Sequence, residues 1–497
     1  MKTSMLLAAM VPLISALTIP GFSNGAMIAL QAADDMPHAT SCSIFCIGLS
    51  IQVLPKWYVR GGVGKLRPHG GFKVTIRLIN QPNYRPLPSL LLLPGITMAT
   101  GSHDADFGST IWGDFVDSDD EGEVEDECEP AERYDEGLYY PVCIGEVLVN
   151  RYRVEHKLGH GGFSTVWMAH DMSNDNDVAL KIMTPGPSGE REYAAQNMIA
   201  STVQDTSRLL MYREAFLLNA PKTHHRVLVF PLLGPSLRTY ARSVTTTVRM
   251  ASAKQMLQAI KALHDGGVVH RDINSANVLY GLAPFKAGTT IAAKYDYLGR
   301  PQKMPIPTNK PMWKDGQLVK PIDPHNSIVQ GTITLADFGL AVKSGTSVEF
   351  KFQSPAIYCA PERFHNIDPD FTSDMWSYMC IFFELSLGFP LFWGSSPSQV
   401  VNFVVRSLGP LPSDWRGSYD GGGQYDESWY DQNRGPDPHL ALELKVTRSR
   451  YGLSPVEQRL VLSVLQRGLS YSPEHRFSAG QLLEDASFKE LMALHGL

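Results

Sequence analysis

The sequence predicts an α+β fold in two unequal lobes, a small β-rich half followed by a larger α-helical half. Three observations carry this expectation. From about Tyr139 to Gly234, apolar residues alternate with a period of two in short runs broken by Gly turns. Beyond Pro231 the apolar spacing lengthens to that of amphipathic and buried helices. Two short acidic motifs then follow in fixed order within the helical half: His270-Arg271-Asp272 with Asn277 five residues on, and Ala336-Asp337-Phe338-Gly339.

The chain has 497 residues, too long for one ordinary domain and suited to a two-lobed body with extensions. Residues 1–113 carry no interpretable motif and are expected to form a poorly ordered extension. Lys2 and the apolar run ending at Leu17 have the outline of a signal peptide. The chain contains no Asn-x-Ser/Thr acceptor, and a cytoplasmic or nuclear location is expected. No run approaches the ~18 apolar residues of a membrane span. The stretch 56–85 is basic, and a solvated arm is its expected role. Residues 114–136 hold thirteen Asp or Glu against one Arg. Like charges repel, so a disordered acidic linker is expected there. The overall charge of -6 is therefore the property of one segment and says nothing about the fold.

Order is expected from Tyr139. Arg151 to Gly159, Ser164 to His170 and Asp177 to Met183 read as strands, and Glu190 to Val203 as a helix. Arg226 to Gly234 reads as a buried strand that leaves the sheet at Pro231. Arg249 to His264 is amphipathic, and Asp374 to Leu387 is apolar nearly all round, which predicts a buried helix. Two segments, about 281–331 and 412–438, are rich in Pro, Gly and polar residues. Loops this long are uncommon inside a domain, so each reads as an insertion for binding or regulation, or as a flexible spacer. The expected domain spans 152–492, with lobes 152–233 and 234–492. The six Cys are scattered without metal-ligand spacing, and no zinc site is expected at Cys42 and Cys46.

The motifs point to phosphoryl transfer. Leu158-Gly159-His160-Gly161-Gly162-Phe163-Ser164-Thr165-Val166 is a Gly-rich turn between strands, where backbone N–H groups can approach phosphates without Cβ interference. Phe163 can cap that loop. Alone the turn is a weak signal. Lys181, inside the apolar run Val178-Ala179-Leu180, strengthens it, because a Lys in a buried strand needs an anion. It would contact the α/β-phosphates of ATP, with Val166 and Ala179 above the adenine ring and Leu279 below. Asp272 is the candidate base for the substrate hydroxyl. Asn277 and Asp337 would hold Mg²⁺.

With these residues in place the chain resembles the eukaryotic protein kinases. Tyr140-Pro-Val-Cys-Ile-Gly-Glu, Lys157-Leu-Gly-His-Gly-Gly-Phe-Ser-Thr-Val-Trp and the hinge Leu228-Val-Phe-Pro-Leu-Leu-Gly are similar to the SR-protein kinases, in particular a divergent fungal branch. The resemblance covers roughly residues 139–492. It implies the bilobal protein kinase fold, ATP and Mg²⁺ as cofactors, and serine/threonine phosphorylation of protein substrates, Arg-Ser-rich splicing factors among them. It places Phe230 as gatekeeper and Leu233 in the hinge beside the nucleotide. It also implies a Glu362–Arg476 bridge after Ala360-Pro361, and Asp374 bound to the backbone of the catalytic loop. A monomer is expected, without direct nucleic-acid or membrane binding.

The chain departs from the family pattern at several points. Asn274 stands where a Lys usually follows the catalytic Asp by two, and Cys359 where an Arg usually precedes Ala-Pro-Glu. The helix Glu that should pair with Lys181 is either Glu190 or Glu192, with Glu192 preferred. These departures leave open a second reading, a catalytically impaired pseudokinase acting as a nucleotide-binding scaffold.

Overall fold

The computed structural model describes residues 111–308, 311–352 and 355–497, together with the strands Cys42–Cys46, Leu49–Leu54 and Lys73–Leu78. The chain divides into two units, 1–104 and 105–497. In the first, the three strands form an antiparallel sheet in sequence order. Regular structure was not expected there, but Leu49-Ser-Ile-Gln-Val and Lys73-Val-Thr-Ile-Arg-Leu both alternate with the strand period. The signal-like run Met1–Leu17 and most of the basic stretch 56–85 lie outside the described residues.

The second unit contains a six-stranded antiparallel sheet. Its strands are β1 (Val147–Leu148), β2 (Tyr152–Gly161), β3 (Ser164–Asp171), β4 (Asn176–Met183), β5 (Glu214–Ala220) and β6 (Thr223–Pro231), in the order β1-β2-β3-β4-β6-β5. One face buries Tyr152, Val154, Trp167, Leu180, Val227 and Val229. Helix α2 (Pro187–Thr202) follows β4, with the short helix α1 (Glu121–Glu127) upstream of the sheet.

Two helices organise the larger half. In α3 (Thr246–Asp265) the Thr245 side chain accepts from the backbone N–H of Val248 and caps the first turn. Helix α5 (Phe371–Leu387) starts at a reciprocal Asp370–Ser373 capping box and stops at Gly388, whose φ of 84° is the left-handed conformation that suits Gly. As its composition predicts, α5 is buried almost all round, and Met256, Ile260, Trp376, Phe382 and Leu465 lie in one core. Among the described residues no helix is long and apolar enough to cross a membrane.

The acidic segment 114–136 departs from expectation. It is folded, with α1 and a helical turn at Glu132–Asp135. Its acidic side chains lie mostly outward, while Val124, Cys128, Tyr134 and Tyr139 are buried against Met304, Ile306 and Leu318 of the first insertion. Burying those apolar groups offsets the charge repulsion that composition emphasises. Glu129, in the same segment, is buried in an ion pair with Lys157 of β2.

The first insertion is not a flexible spacer. It contains α4 (Ile291–Leu298) and strands Gln302–Pro305 and Gln317–Val319, which form a three-stranded sheet with Asp114–Phe115. It leaves the helical lobe after strand Val278–Leu282 and returns as Val329–Leu335, which pairs with it. In between it reaches the small lobe. There the Lys294 ammonium meets Glu155 at 2.7 Å and Asp177 at 2.6 Å, and the Ile322 N–H donates to the Lys157 carbonyl at 3.0 Å. The second insertion packs Trp415, Tyr419, Trp429 and Tyr430 around the buried His365 and Phe364.

Candidate active site

The Gly-rich turn joins β2 and β3 in register, with Gly161 opposite Ser164. A Cβ on Gly159, Gly161 or Gly162 would meet no atom within 4 Å, and none of the three has a positive φ. These glycines therefore serve neither packing nor a left-handed turn; they leave open space along the loop for a ligand's close approach. Phe163 at the tip is 63% exposed. Thr165 is buried, and its hydroxyl accepts from the Trp167 indole N–H at 3.0 Å. The Thr165 side chain is thus engaged with the protein, which leaves mainly its backbone for a nucleotide. His160, at the end of β2, is exposed.

Four of the apolar residues expected around the adenine, Leu158, Val166, Ala179 and Phe230, lie in one cluster. Ala179 pairs with Phe230 across β4 and β6, and Leu158 and Val166 pack on the same cluster. Ser236, beyond the hinge, bridges to Leu279 on strand Val278–Leu282. Leu233, two residues after β6, is half-buried.

Lys181 stands opposite Val166 and Leu228 in the sheet. Its ammonium is 2.7 Å from Glu192 Oε2 and 3.2 Å from Asp337 Oδ1. Burial alone would depress the Lys181 pKa, but the Asp337 and Glu192 carboxylates overcome it and hold the ammonium above the ordinary lysine range. Of the two helix candidates, Glu190 instead pairs with Arg226 at 2.7 Å. Helix α2 begins only four residues after β4 ends, so the partner of Lys181 falls eleven residues on, closer than family spacing suggests.

Asp272 is held by two amides. Asn277 Nδ2 donates to its Oδ2 at 2.9 Å, and Asn274 Nδ2 to its Oδ1 at 3.1 Å. Burial raises the Asp272 pKa and the Asp337 charge adds to this, while His270 and the two Asn donors oppose it. Asp337 is itself in the left-handed region, at φ 66°. Partial desolvation would raise its pKa, but Lys181 outweighs that and keeps it below the ordinary carboxylate value. Phe338 is fully buried against the His270 ring, 5.2 Å between centroids.

The surrounding frame matches the expected bridges. Asp374 accepts the N–H groups of His270 at 2.7 Å and Arg271 at 2.9 Å, and meets His264 Nε2 at 3.1 Å. Arg476 donates both Nη1 and Nη2 to Glu362 at 2.7 Å, with both side chains buried. Two roles escaped sequence reasoning. Arg271 donates to the carbonyls of Leu340 at 3.1 Å and Phe350 at 2.8 Å. Arg363 in turn donates to the carbonyls of Arg271 at 2.9 Å and Lys351 at 2.6 Å. The segment after Asp337 is thus fastened to the catalytic loop through main-chain acceptors. Cys359, in the family's Arg position, is buried in the aromatic cluster around Phe364.

Mg²⁺ takes hard oxygen ligands, and the residues present suit it. Asn277 spends its Nδ2 on Asp272, which leaves its amide oxygen as a donor atom. Asp337 keeps 45% of its side chain exposed, and the Lys181 ammonium and the Gly339 N–H both lie on its Oδ1, which leaves Oδ2 for a metal.

A family model described as protein tyrosine and serine/threonine kinase matches residues 152–413. A serine/threonine-protein kinase SRPK of Physarum polycephalum is 27% identical over 406 residues, spanning 75% of this chain and 92% of that protein. A serine/threonine protein kinase of Aspergillus fumigatus is 25% identical over 380 residues, spanning 73% and 90%. Protein kinase dsk1 of Schizosaccharomyces pombe is 33% identical over 165 residues, spanning 30% of each.

Proposed function

The chain belongs to the protein tyrosine and serine/threonine kinase family as a serine/threonine protein kinase similar to the SRPK group, and we propose that Lys181, Asp272, Asn277 and Asp337 carry its transfer of the ATP γ-phosphoryl group to protein Ser and Thr. The observation that supports this reading best is the Lys181 ammonium held between Glu192 and Asp337. That arrangement presents a fixed cation where the nucleotide phosphates would lie. Leu158, Val166, Ala179, Phe230, Leu233 and Leu279 would enclose the adenine, and the backbone of residues 159–165 would cover the phosphates.

Asp272 would take the proton of the attacking hydroxyl. The two Asn donors favour its ionised, acceptor form, which suits that task. Mg²⁺ on Asn277 and Asp337 would neutralise charge on the transferred group. Substrates rich in Arg-Ser dipeptides are the finer proposal, resting on the resemblance to SR-protein kinases, and a cytoplasmic or nuclear site of action accompanies it.

Asn274 favours a second reading, a nucleotide-binding scaffold, because it removes a cation from beside the γ-phosphate. Radiolabelled transfer from ATP to arrayed Ser and Thr peptides, with Asp272→Asn beside the parent, separates the two. The kinase reading expects transfer by the parent, strongest on Arg-Ser peptides, and its loss in the variant. A parent that transfers no label while Mg²⁺–ATP raises its Tm would favour the scaffold.

A further inference from the structure

The tip of the Gly-rich loop is gripped from outside by the end of the acidic segment and the residues just after it. Arg133 Nη2 donates to the Gly162 carbonyl at 2.7 Å, and Tyr139 Oη donates to the Gly161 carbonyl at 2.8 Å. The next carbonyl, of Phe163, accepts from the Thr184 N–H at 2.9 Å. Three successive carbonyls at the turn are therefore all held.

The two gripping side chains are themselves fixed. The backbone N–H groups of Leu138 and Tyr139 both donate to the Arg133 carbonyl, which folds the segment so that the two side chains lie together. The Arg133 guanidinium sits 5.5 Å from the centre of the Tyr139 ring, and that ring packs edge-on to Tyr134 at 5.5 Å. Tyr134 donates to Glu129, which pairs with Lys157 two residues before Gly159. The grip is thus anchored at one end to the strand that feeds the loop and at the other to the loop's tip.

A planar trans peptide directs its C=O and N–H to opposite sides. Holding the carbonyls of Gly161 and Gly162 therefore turns the N–H groups of Gly162 and Phe163 away from the segment. Glycine turns without packing contacts lose much backbone freedom when they close over a ligand. A loop held in place beforehand loses less on binding.

We propose that Arg133 and Tyr139 are positioning residues for the kinase reaction, holding the tip of the Gly-rich loop so that its amides are preset for the ATP phosphates. This rests on the kinase reading above. It assigns to the acidic segment a part in nucleotide binding that lies outside the region 152–413 matched by the family model.

The test compares the full-length parent with Tyr139→Phe, Arg133→Gln and the double variant, measuring KM for ATP, KM for peptide and kcat. Tyr139→Phe keeps the ring against Tyr134 and deletes only the donor. Each single variant is expected to raise KM for ATP roughly three- to tenfold, the worth of one hydrogen bond, with KM for peptide unchanged. Arg133→Lys should recover part of the loss. Amide exchange across residues 159–165 should quicken in the variants. A merely structural grip would lower Tm and leave KM for ATP where it was. An active parent whose variants keep the parental KM for ATP overturns the proposal. A parent with no transfer activity overturns the kinase reading instead; in that case tighter nucleotide binding by the parent than by the variants, read from Tm shifts with ATP, still supports the positioning role.

Discussion

Lys157 and Glu129 form an ion pair in which both side chains are wholly shielded from solvent. The Lys157 ammonium also lies 3.9 Å from the centre of the Trp167 ring, and Tyr134 donates its hydroxyl to the same Glu129 oxygen. Burial alone would raise the Glu129 pKa, but the Lys157 ammonium holds it below the ordinary carboxylate value. This pair joins the acidic segment to the strand leading into the Gly-rich loop.

Removing one partner leaves the other charge buried and uncompensated. Glu129→Ala should therefore cost about 3–5 kcal/mol, measured as a loss of unfolding free energy in urea. The double variant Glu129→Leu with Lys157→Met replaces the charges by apolar groups of similar length and should recover most of that loss. A single variant as stable as the parent would show that the segment is not docked on β2.

Asp374 holds the catalytic loop through two backbone bonds. One of them fixes Arg271, whose φ of 73° is unfavourable for a side chain of its size. Asp374→Asn keeps the shape but turns an NH₂ group toward one of two N–H donors. The expected cost is about 1–3 kcal/mol of stability for the unsatisfied buried donor. With Asp272 then misplaced, kcat should fall while ATP affinity, read by calorimetry, stays near the parental value. Unchanged kcat would mean that the loop keeps its geometry without this anchor.

What could be read from the sequence was local. The alternation in Arg151-Tyr-Arg-Val and the apolar girth of Asp374–Leu387 each report one element's own surroundings, so β2 and α5 appear close to where they were expected. Lys181 and Glu192 were also legible, since their separation is set by one strand and one short connection. The acidic segment was not. Its charges are contiguous in sequence, but its fold depends on Val124, Cys128 and Tyr134 meeting Met304, Ile306 and Leu318 far along the chain. Neither segment carries a sign of the other. The flexible-spacer alternative for the first insertion fails for the same reason: its Pro and Gly content describes its turns, while Lys294 and Tyr295 carry its attachment to Glu155.

Lys445 offers a pH-dependent stability. It is buried, and its ammonium donates only to the Leu391 carbonyl at 3.1 Å and the Ser407 hydroxyl at 2.8 Å, with no carboxylate partner among its hydrogen bonds. Burial pushes its pKa from 10.5 down to about 7. Between those values the unfolded chain binds the proton and the folded one does not, so stability should rise as pH increases from about 7 toward 10.5. Below about pH 7 both states are protonated and the folded state carries the full cost of the buried charge. Lys445→Met should raise Tm at neutral pH and flatten that rise. A parallel pH profile in parent and variant would assign the dependence elsewhere.

Asn274 decides how Asp272 is held. Its Nδ2 donates to Asp272 Oδ1, and its Oδ1 accepts the Ala276 N–H at 3.0 Å, capping the turn that carries Asn277. One buried side chain thus orients the base and shapes the backbone beneath it. Asn274→Ala removes both contacts, and a hydrogen bond to a charged group is worth about 1.5–3 kcal/mol, so kcat should fall roughly ten- to a hundredfold. Asn274→Asp keeps the acceptor for Ala276 but sets a second carboxylate against Asp272. Like charges at that distance cannot both remain ionised without cost, so this variant should be slower than the Ala variant at neutral pH. Asn274→Lys restores a donor to Asp272 and adds a cation, and should exceed the Ala variant in kcat. Steady-state kcat and KM for ATP across the three variants give the ranking. An Asp variant as fast as the parent would show that the amide at residue 274 does not govern the base.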